Sequence, residues 1–342
     1  MHLEKSYEFS ETLIPDGNVV CNMSRKAVDR KNTVVVDITY VCNATCKYCQ
    51  WGNKSTAGRV HKQPSEAILP RETLKALGAE RVVLSGGEPR LHSNLKEIVQ
   101  HYRDSVDDVI IITNGYSLTP VEATRLADIG VTGITVSLDS VFAEEANLTR
   151  ETPSLLHTAI LNNLKKIAHS HEDLELGINS VVSHITANRR IVSGLLNFGR
   201  RLDLDFVKFQ LIFNDGYVGR IAHDLLLTRH DAVNLLDVAS YVETISSPTT
   251  NPAGFWRDLA AFALEEEFSP SGCGLGPRYS IATREKVNIC FWLDASVLGK
   301  PTSKINREEV DRVRRRFEEA KLSCKVSAHC FCNQSLSHKW KE

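Results

Sequence analysis

From Thr33 onward the chain alternates short apolar runs with longer stretches of helical periodicity. The run Thr33-Val34-Val35-Val36-Asp37-Ile38-Thr39 is rich in β-branched residues and reads as a buried strand. Similar runs predict strands over 33–40, 80–85, 108–113, 132–138, 174–182 and 205–212. Between them, Thr119-Pro120-Val121-Glu122 starts a helix with a capping box and Pro in its first turn. Another opens at Thr152-Pro153, and its Leu156, Ile160, Leu164 and Ile167 share one face. Strands separated by helices in this way imply an α/β fold, a parallel sheet with right-handed crossovers.

Beyond residue 212 the alternation stops. Helices near 228–246 and 254–268 flank the loop signal Ser246-Ser247-Pro248-Thr249-Thr250-Asn251-Pro252. Then Tyr279-Ser280-Ile281 and Val287-Asn288-Ile289 predict a β-hairpin, and Val310, Val313 and Phe317 mark one face of a last helix. Residues 1–32 are polar and weakly patterned, with a turn at Pro15-Asp16-Gly17-Asn18. The expected division is an N-terminal extension (1–32), a core barrel (33–215), a helical linker (216–272) and a cysteine-rich domain (273–342).

Composition narrows the function classes. The 342 residues carry a net charge of −1 and are 42% hydrophobic, an ordinary globular balance. No basic surplus points to nucleic acid or an anionic membrane, and Arg314-Arg315-Arg316 reads as a solvated helix face. No apolar run reaches membrane-spanning length. The start Met1-His2-Leu3-Glu4-Lys5 does not read as a signal peptide, so a cytoplasmic location is expected, where nine cysteines stay reduced.

The chemistry centres on Cys42-Asn43-Ala44-Thr45-Cys46-Lys47-Tyr48-Cys49, a loop leaving the carboxyl end of the first strand. Parallel α/β sheets keep their active sites at that end. Cys42, Cys46 and Cys49 can each hold one iron of a [4Fe–4S] cube and leave the fourth iron open to a ligand. Structural zinc with His61 as fourth ligand is the alternative, although only one C-x2-C pair is present. At the end of the second strand, Ser85-Gly86-Gly87-Glu88-Pro89 offers adjacent glycines that let backbone approach a ligand.

These motifs, with Thr113-Asn114-Gly115 and Ser137-Leu138-Asp139 at the next two strand ends, resemble the radical SAM superfamily. The resemblance implies a partial (β/α)6 TIM-like barrel, a [4Fe–4S] cluster on Cys42, Cys46 and Cys49, and S-adenosyl-L-methionine (SAM) on the open iron. It implies reductive cleavage of SAM to a 5′-deoxyadenosyl radical that abstracts hydrogen from a substrate. Gly86, Gly87 and Glu88 would lie along the methionine moiety, Tyr48 would line the adenine, and Ser137 and Asp139 would approach the ribose. Asn114 and Asn188 would orient the cosubstrate or serve as loop formers. A flavodoxin or ferredoxin would supply the electron.

The tail is similar to the SPASM and twitch extensions of the same superfamily, in which a hairpin and later cysteines hold an auxiliary [4Fe–4S] cluster. Cys273, Cys290, Cys324, Cys330 and Cys332 cannot close two four-thiolate cubes, which implies one auxiliary cluster on four of the five. Only one of Cys330 and Cys332 is expected to ligate, because a single residue separates them. The spare thiol is inert, or it or the isolated Cys21 returns a hydrogen atom to a substrate radical. Structural zinc is the alternative in the tail. The expected reaction is dehydrogenation, epimerisation or bond formation on a small molecule such as a sugar, cyclitol or natural-product intermediate. The alternative is a peptide-modifying maturase, against which the short stretch before the first strand argues. A reading of another class is a non-catalytic metal-binding scaffold.

Overall fold

The computed structural model describes residues 31–49, 68–171, 173–212, 222–245, 249–264, 279–282, 287–288, 305–312 and 315. The six expected strands all form: β1 (Thr33–Thr39), β2 (Arg81–Gly86), β3 (Asp108–Thr113), β4 (Gly133–Ser137), β5 (Glu175–Val182) and β6 (Phe206–Leu211). Each pairs in parallel with the next. The helices α1 (Arg71–Leu77), α2 (Leu95–Arg103), α3 (Pro120–Asp128), α4 (Ala143–Arg150), α5 (Ser154–Ser170) and α6 (Arg189–Arg201) lie between them, with α4 and α5 both in the β4–β5 crossover. The result is the parallel sheet of a partial (β/α)6 barrel.

Alternation along each strand decides what faces what. Val34, Val36 and Ile38 of β1, Val82 and Leu84 of β2, and Val109 and Ile111 of β3 join one apolar core with the helix residues Leu74, Ile98 and Leu126. Leu84 and Ile111 are wholly excluded from solvent, so truncating either to Ala costs about 2–5 kcal/mol. The intervening residues point to the concave inner face. At its amino end that face is closed by ions. Arg81 Nη2 lies 3.0 Å from Asp108 Oδ2 and 2.8 Å from Glu175 Oε2, and Lys31 Nζ lies 2.8 Å from Asp108 Oδ2. The carboxyl end is left for chemistry.

The free edge of β6 is covered by the segment that reads as a plain loop. Val207 N–H donates to Thr249 O, and Asn251 brackets Phe209 by accepting from its N–H (2.8 Å) and donating to its O (3.0 Å). A side-chain amide thus stands in for a strand, which protects an edge at little cost in length. The flanking helices are α7 (Asp231–Ile245) and α8 (Ala253–Ala263), close to the expected pair. The hairpin also forms, β7 (Tyr279–Ala282) against β8 (Val287–Asn288). Its position is new: β7 pairs in parallel with β1, so the sheet order is β6-β5-β4-β3-β2-β1-β7-β8. Val310 is buried in the barrel's core, as its expected helix face requires, whereas Val313 and Phe317 lie outside the described residues.

One capping detail differs from expectation. Thr119 Oγ accepts from Glu122 N–H at 3.2 Å, but Glu122 does not complete the box. Its carboxylate is drawn instead to Arg125 at 2.7 Å and Arg90 at 3.3 Å. Two guanidinium charges outcompete one backbone N–H.

Candidate active site

The cysteine loop, residues 40–49, leaves β1 and is anchored at three places by backbone hydrogen bonds. Gly87 N–H donates to Thr39 O and Glu88 N–H donates to Val41 O, each at 2.8 Å, while Lys47 N–H donates to Thr149 O at the end of α4. The glycines of the second loop are explained here. A Cβ on Gly86 would lie 2.2 Å from Thr39 O and one on Gly87 would lie 2.1 Å from Val41 O, and Gly86 has φ +118°. Their bareness lets the β2 loop lie against the β1 loop. The close approach is backbone to backbone.

Glu88 is buried and acts as a bracket. Thr113 Oγ donates to its Oε1 and Asn114 N–H to its Oε2, both at 2.8 Å. Burial pushes its carboxyl up, and the hydrogen bonds from Asn114 and Thr113 only partly offset this. Asn114 in turn donates through Nδ2 to Asn43 Oδ1 at 2.7 Å, lies 3.9 Å from Cys42 Sγ, and accepts from Tyr116 N–H through Oδ1. The ends of β1, β2 and β3 are therefore cross-braced around Cys42.

On the other side, Tyr48 donates its hydroxyl to Asp139 Oδ2 at 2.6 Å. Asp139 has no solvent exposure, and its Oδ1 accepts from Val181 N–H at 3.0 Å. The surprise is Arg150, the last residue of α4. Its Nε lies 2.9 Å from Asp139 Oδ2, and its Nη1 donates to Cys46 Sγ at 3.7 Å. Its guanidinium also stands 5.6 Å from the centre of the Tyr48 ring, a cation–π contact. The Nε hydrogen finds no acceptor in line, so the contact with Asp139 is an ion pair rather than a linear hydrogen bond. No motif announces Arg150. It is brought in by tertiary packing 104 residues from Cys46, and only its place in the last helical turn is visible in the sequence.

The thiols suit metal ligation better than covalent catalysis. Burial raises Cys42, and it pushes Cys46 up to about 12, with the charge of Arg150 the largest opposing influence. Nucleophilic and redox cysteines need the reverse shift, whereas a metal strips the proton from its thiol outright. Among the described residues, no three His, Cys, Asp or Glu side chains close around a single ion. Thiolates that hold separate irons of a cube stand farther apart than ligands of one ion. Donor type, a common loop and a neighbouring guanidinium to balance thiolate charge all fit a [4Fe–4S] cluster.

The remaining expected residues divide. Ser137 lies on the inner face of β4, in register with Asn179 of β5, which is in register with Lys208 of β6. Asn179 and Lys208 carry no motif, and only strand alternation could have singled them out. Asn188 is the N-cap of α6, where its Oδ1 accepts from Ile191 N–H and its Nδ2 donates to Ile185 O. That is its loop-forming role. Cys21, His61, Cys273, Cys290, Cys324, Cys330 and Cys332 lie outside the described residues.

Comparison with known proteins agrees with this geometry. Residues 36–186 match the family model described as the radical SAM superfamily. That segment, which runs from β1 through β5 and includes the cysteine loop, is similar to a radical SAM domain. That family uses a [4Fe–4S] cluster and SAM. A GTP 3′,8-cyclase of Ectopseudomonas mendocina is 25% identical over 311 residues, covering 86% of this chain and 89% of the relative. A probable GTP 3′,8-cyclase of Metallosphaera sedula is 33% identical over 111 residues. That match covers 32% of this chain, and the chain spans only 35% of that relative. Among solved structures, anSMEcpe with AdoMet and a peptide bound superposes with TM-score 0.57 at 17% identity, over 90% of each chain. Streptococcus suis SuiB bound to SAM gives TM-score 0.60 at 15% identity, over 89% of this chain and 73% of that one. At these identities the structures share the fold. Among the described residues, no helix is long and apolar enough to cross a membrane.

Proposed function

We propose that the protein is a radical SAM enzyme that acts on a small molecule, with Cys42, Cys46 and Cys49 as the ligands of its SAM-binding cluster. The observation that carries this is the cysteine loop itself. Three thiols lie on one loop at the carboxyl end of a parallel sheet, with Arg150 against Cys46 and Asn114 against Cys42. Cys42, Cys46 and Cys49 would hold the [4Fe–4S] cluster, which when bound would supply the one-electron reduction that cleaves SAM and starts hydrogen abstraction from the substrate.

The protein's own residues hold and orient. Gly86 and Gly87 let the β2 loop brace the cysteine loop, and Glu88 ties that loop to Thr113 and Asn114. Asp139 fixes Tyr48 and Arg150 together, which keeps a positive charge beside Cys46. Backbone groups of the Gly86–Glu88 loop that are not tied to Thr39 and Val41 would lie along the methionine moiety. Tyr48 would flank the adenine with its ring, and Ser137, on the inner face of β4, would meet the ribose. Asp139 acts on the cosubstrate through Tyr48 and Arg150, because its carboxylate holds both and has no solvent exposure of its own.

The relatives bear on the reaction. The Ectopseudomonas protein is a cyclase of a nucleotide and matches along most of this chain, which favours bond formation over dehydrogenation or epimerisation, and a small molecule over a peptide. The tail cysteines are assigned one auxiliary [4Fe–4S] cluster, so reconstituted protein would carry about eight irons per chain. The test is anaerobic incubation with SAM, dithionite and pools of nucleotides, sugars or peptides. Release of 5′-deoxyadenosine should rise with a small-molecule pool, and stimulation by peptides alone would overturn the substrate assignment.

A further inference from the structure

The inner face of β5 and β6 holds a cation that the cysteine loop does not use. Val207, Phe209 and Leu211 turn to the helices, where the Phe209 ring meets Trp256 of α8 edge-on, 5.0 Å between centres. Phe206, Lys208 and Gln210 therefore face the concave side. Next to Lys208 on the amino-terminal side, the inner face carries the Phe206 ring. A Cβ on Gly177 would lie 2.3 Å from the Phe206 ring, so glycine is what allows that ring to lie across β5. Level with Lys208, Asn179 and then Ser137 continue a polar row across to β4.

Lys208 is short of partners. An ammonium has three donors, and Lys208 Nζ donates to Thr250 O at 3.3 Å. Among the described residues, no carboxylate is paired with it. Burial alone pulls its ammonium down to about 8. A desolvated cation is costly unless an anion meets it. Elsewhere on the same face Arg81 is balanced by Asp108 and Glu175, so the contrast lies within one surface. The row is polar, half-buried and at the carboxyl half of the strands, where substrates of such sheets sit.

We propose that Lys208 binds an oxyanion of the substrate, a phosphate or carboxylate group, while Asn179, between Lys208 and the Ser137 assigned to SAM, hydrogen-bonds the part of the molecule that lies across β5. This rests on the reading above that a small molecule occupies the inner face, and it narrows that molecule to an anionic one. Neutral sugars and cyclitols leave the ammonium unmatched.

The test is trace acetylation of the full, anaerobically reconstituted chain with limiting acetic anhydride, from about pH 6 to about pH 10. Mass spectrometry then gives the rate at each lysine. Lys208 should react with a midpoint near 8, earlier than the exposed lysines. Pyrophosphate or citrate should slow Lys208 by about fivefold or more when saturating, with the other lysines unchanged and glycerol without effect. Stronger protection by pyrophosphate identifies a phosphate, and by citrate a carboxylate. Lys208→Met should in parallel lose the rise in unfolding temperature that the protecting anion gives the parent. A Lys208 that stays unreactive throughout, or that reacts but is protected by no anion, overturns the proposal. Neither outcome depends on SAM cleavage, so the radical SAM assignment stands or falls separately.

Discussion

Tyr48 and Asp139, 91 residues apart in the chain, are joined by a 2.6 Å hydrogen bond from the phenol to Oδ2. The bond ties the cysteine loop to the end of β4. With Arg150 on the same oxygen, it forms a buried unit in which removing any member leaves another unsatisfied. Tyr48→Phe keeps the ring and removes the donor. Denaturant unfolding of the apoprotein should show a loss of about 1–3 kcal/mol. Unchanged stability would mean that the bond contributes little to holding the loop.

Arg150→Met removes the charge beside Cys46 while keeping bulk. Cluster binding should survive, and the potential of the cluster should fall, because a nearby cation favours the more negative reduced state. One charge-assisted hydrogen bond corresponds to roughly 60 mV or more for a one-electron couple. Redox titration followed by electron paramagnetic resonance reads the shift. A potential that rises or stays put would show that Arg150 does not act on the cluster.

Gly87→Val tests the backbone contact between the two loops. The added Cβ cannot coexist with Val41 O at 2.1 Å, so the cysteine loop must move, at a cost of about 1–3 kcal/mol. Iron content and SAM affinity should fall together. Retained iron with weakened SAM binding would instead assign the glycine directly to the ligand.

The ion network at the floor of the barrel predicts an acid response. Burial pushes the Asp108 carboxyl up, but hydrogen bonds from Lys31 and Arg81 and the two charges outweigh it and leave it below its ordinary value of 3.8. A depressed folded-state value gives stability that is present above about pH 3.8 and is lost as pH falls through the lower folded value. Asp108→Asn should therefore flatten the acid limb of a stability–pH curve and cost about 1–3 kcal/mol near pH 7. An acid limb unchanged by the substitution would place the response elsewhere.

The fold was legible because strand periodicity is local. The apolar runs that start at Thr33 and Asp108 announce β1 and β3 almost to the residue. The cysteine loop was legible for the same reason, since ligand spacing is carried by consecutive residues. Arg150, Asn179 and Lys208 were not, because each enters by tertiary register or helix packing that has no local signature. Gly86 and Gly87 show a subtler limit. The sequence says that something comes close to them, and only the structure says that it is the backbone of Thr39 and Val41. Asn251, inside a plain loop signal, acts as a strand surrogate for the same reason: its partner Phe209 is 42 residues away.

The most direct test of the central claim is 5′-deoxyadenosine formation from SAM and dithionite by anaerobically reconstituted protein, with Cys42, Cys46 and Cys49 replaced by Ala singly and together. The parent should form 5′-deoxyadenosine, and every variant should form none above background while unfolding at close to the parent's denaturant midpoint. A triple variant that cleaves SAM at the parent's rate would contradict the assignment of these thiols to the SAM-binding cluster.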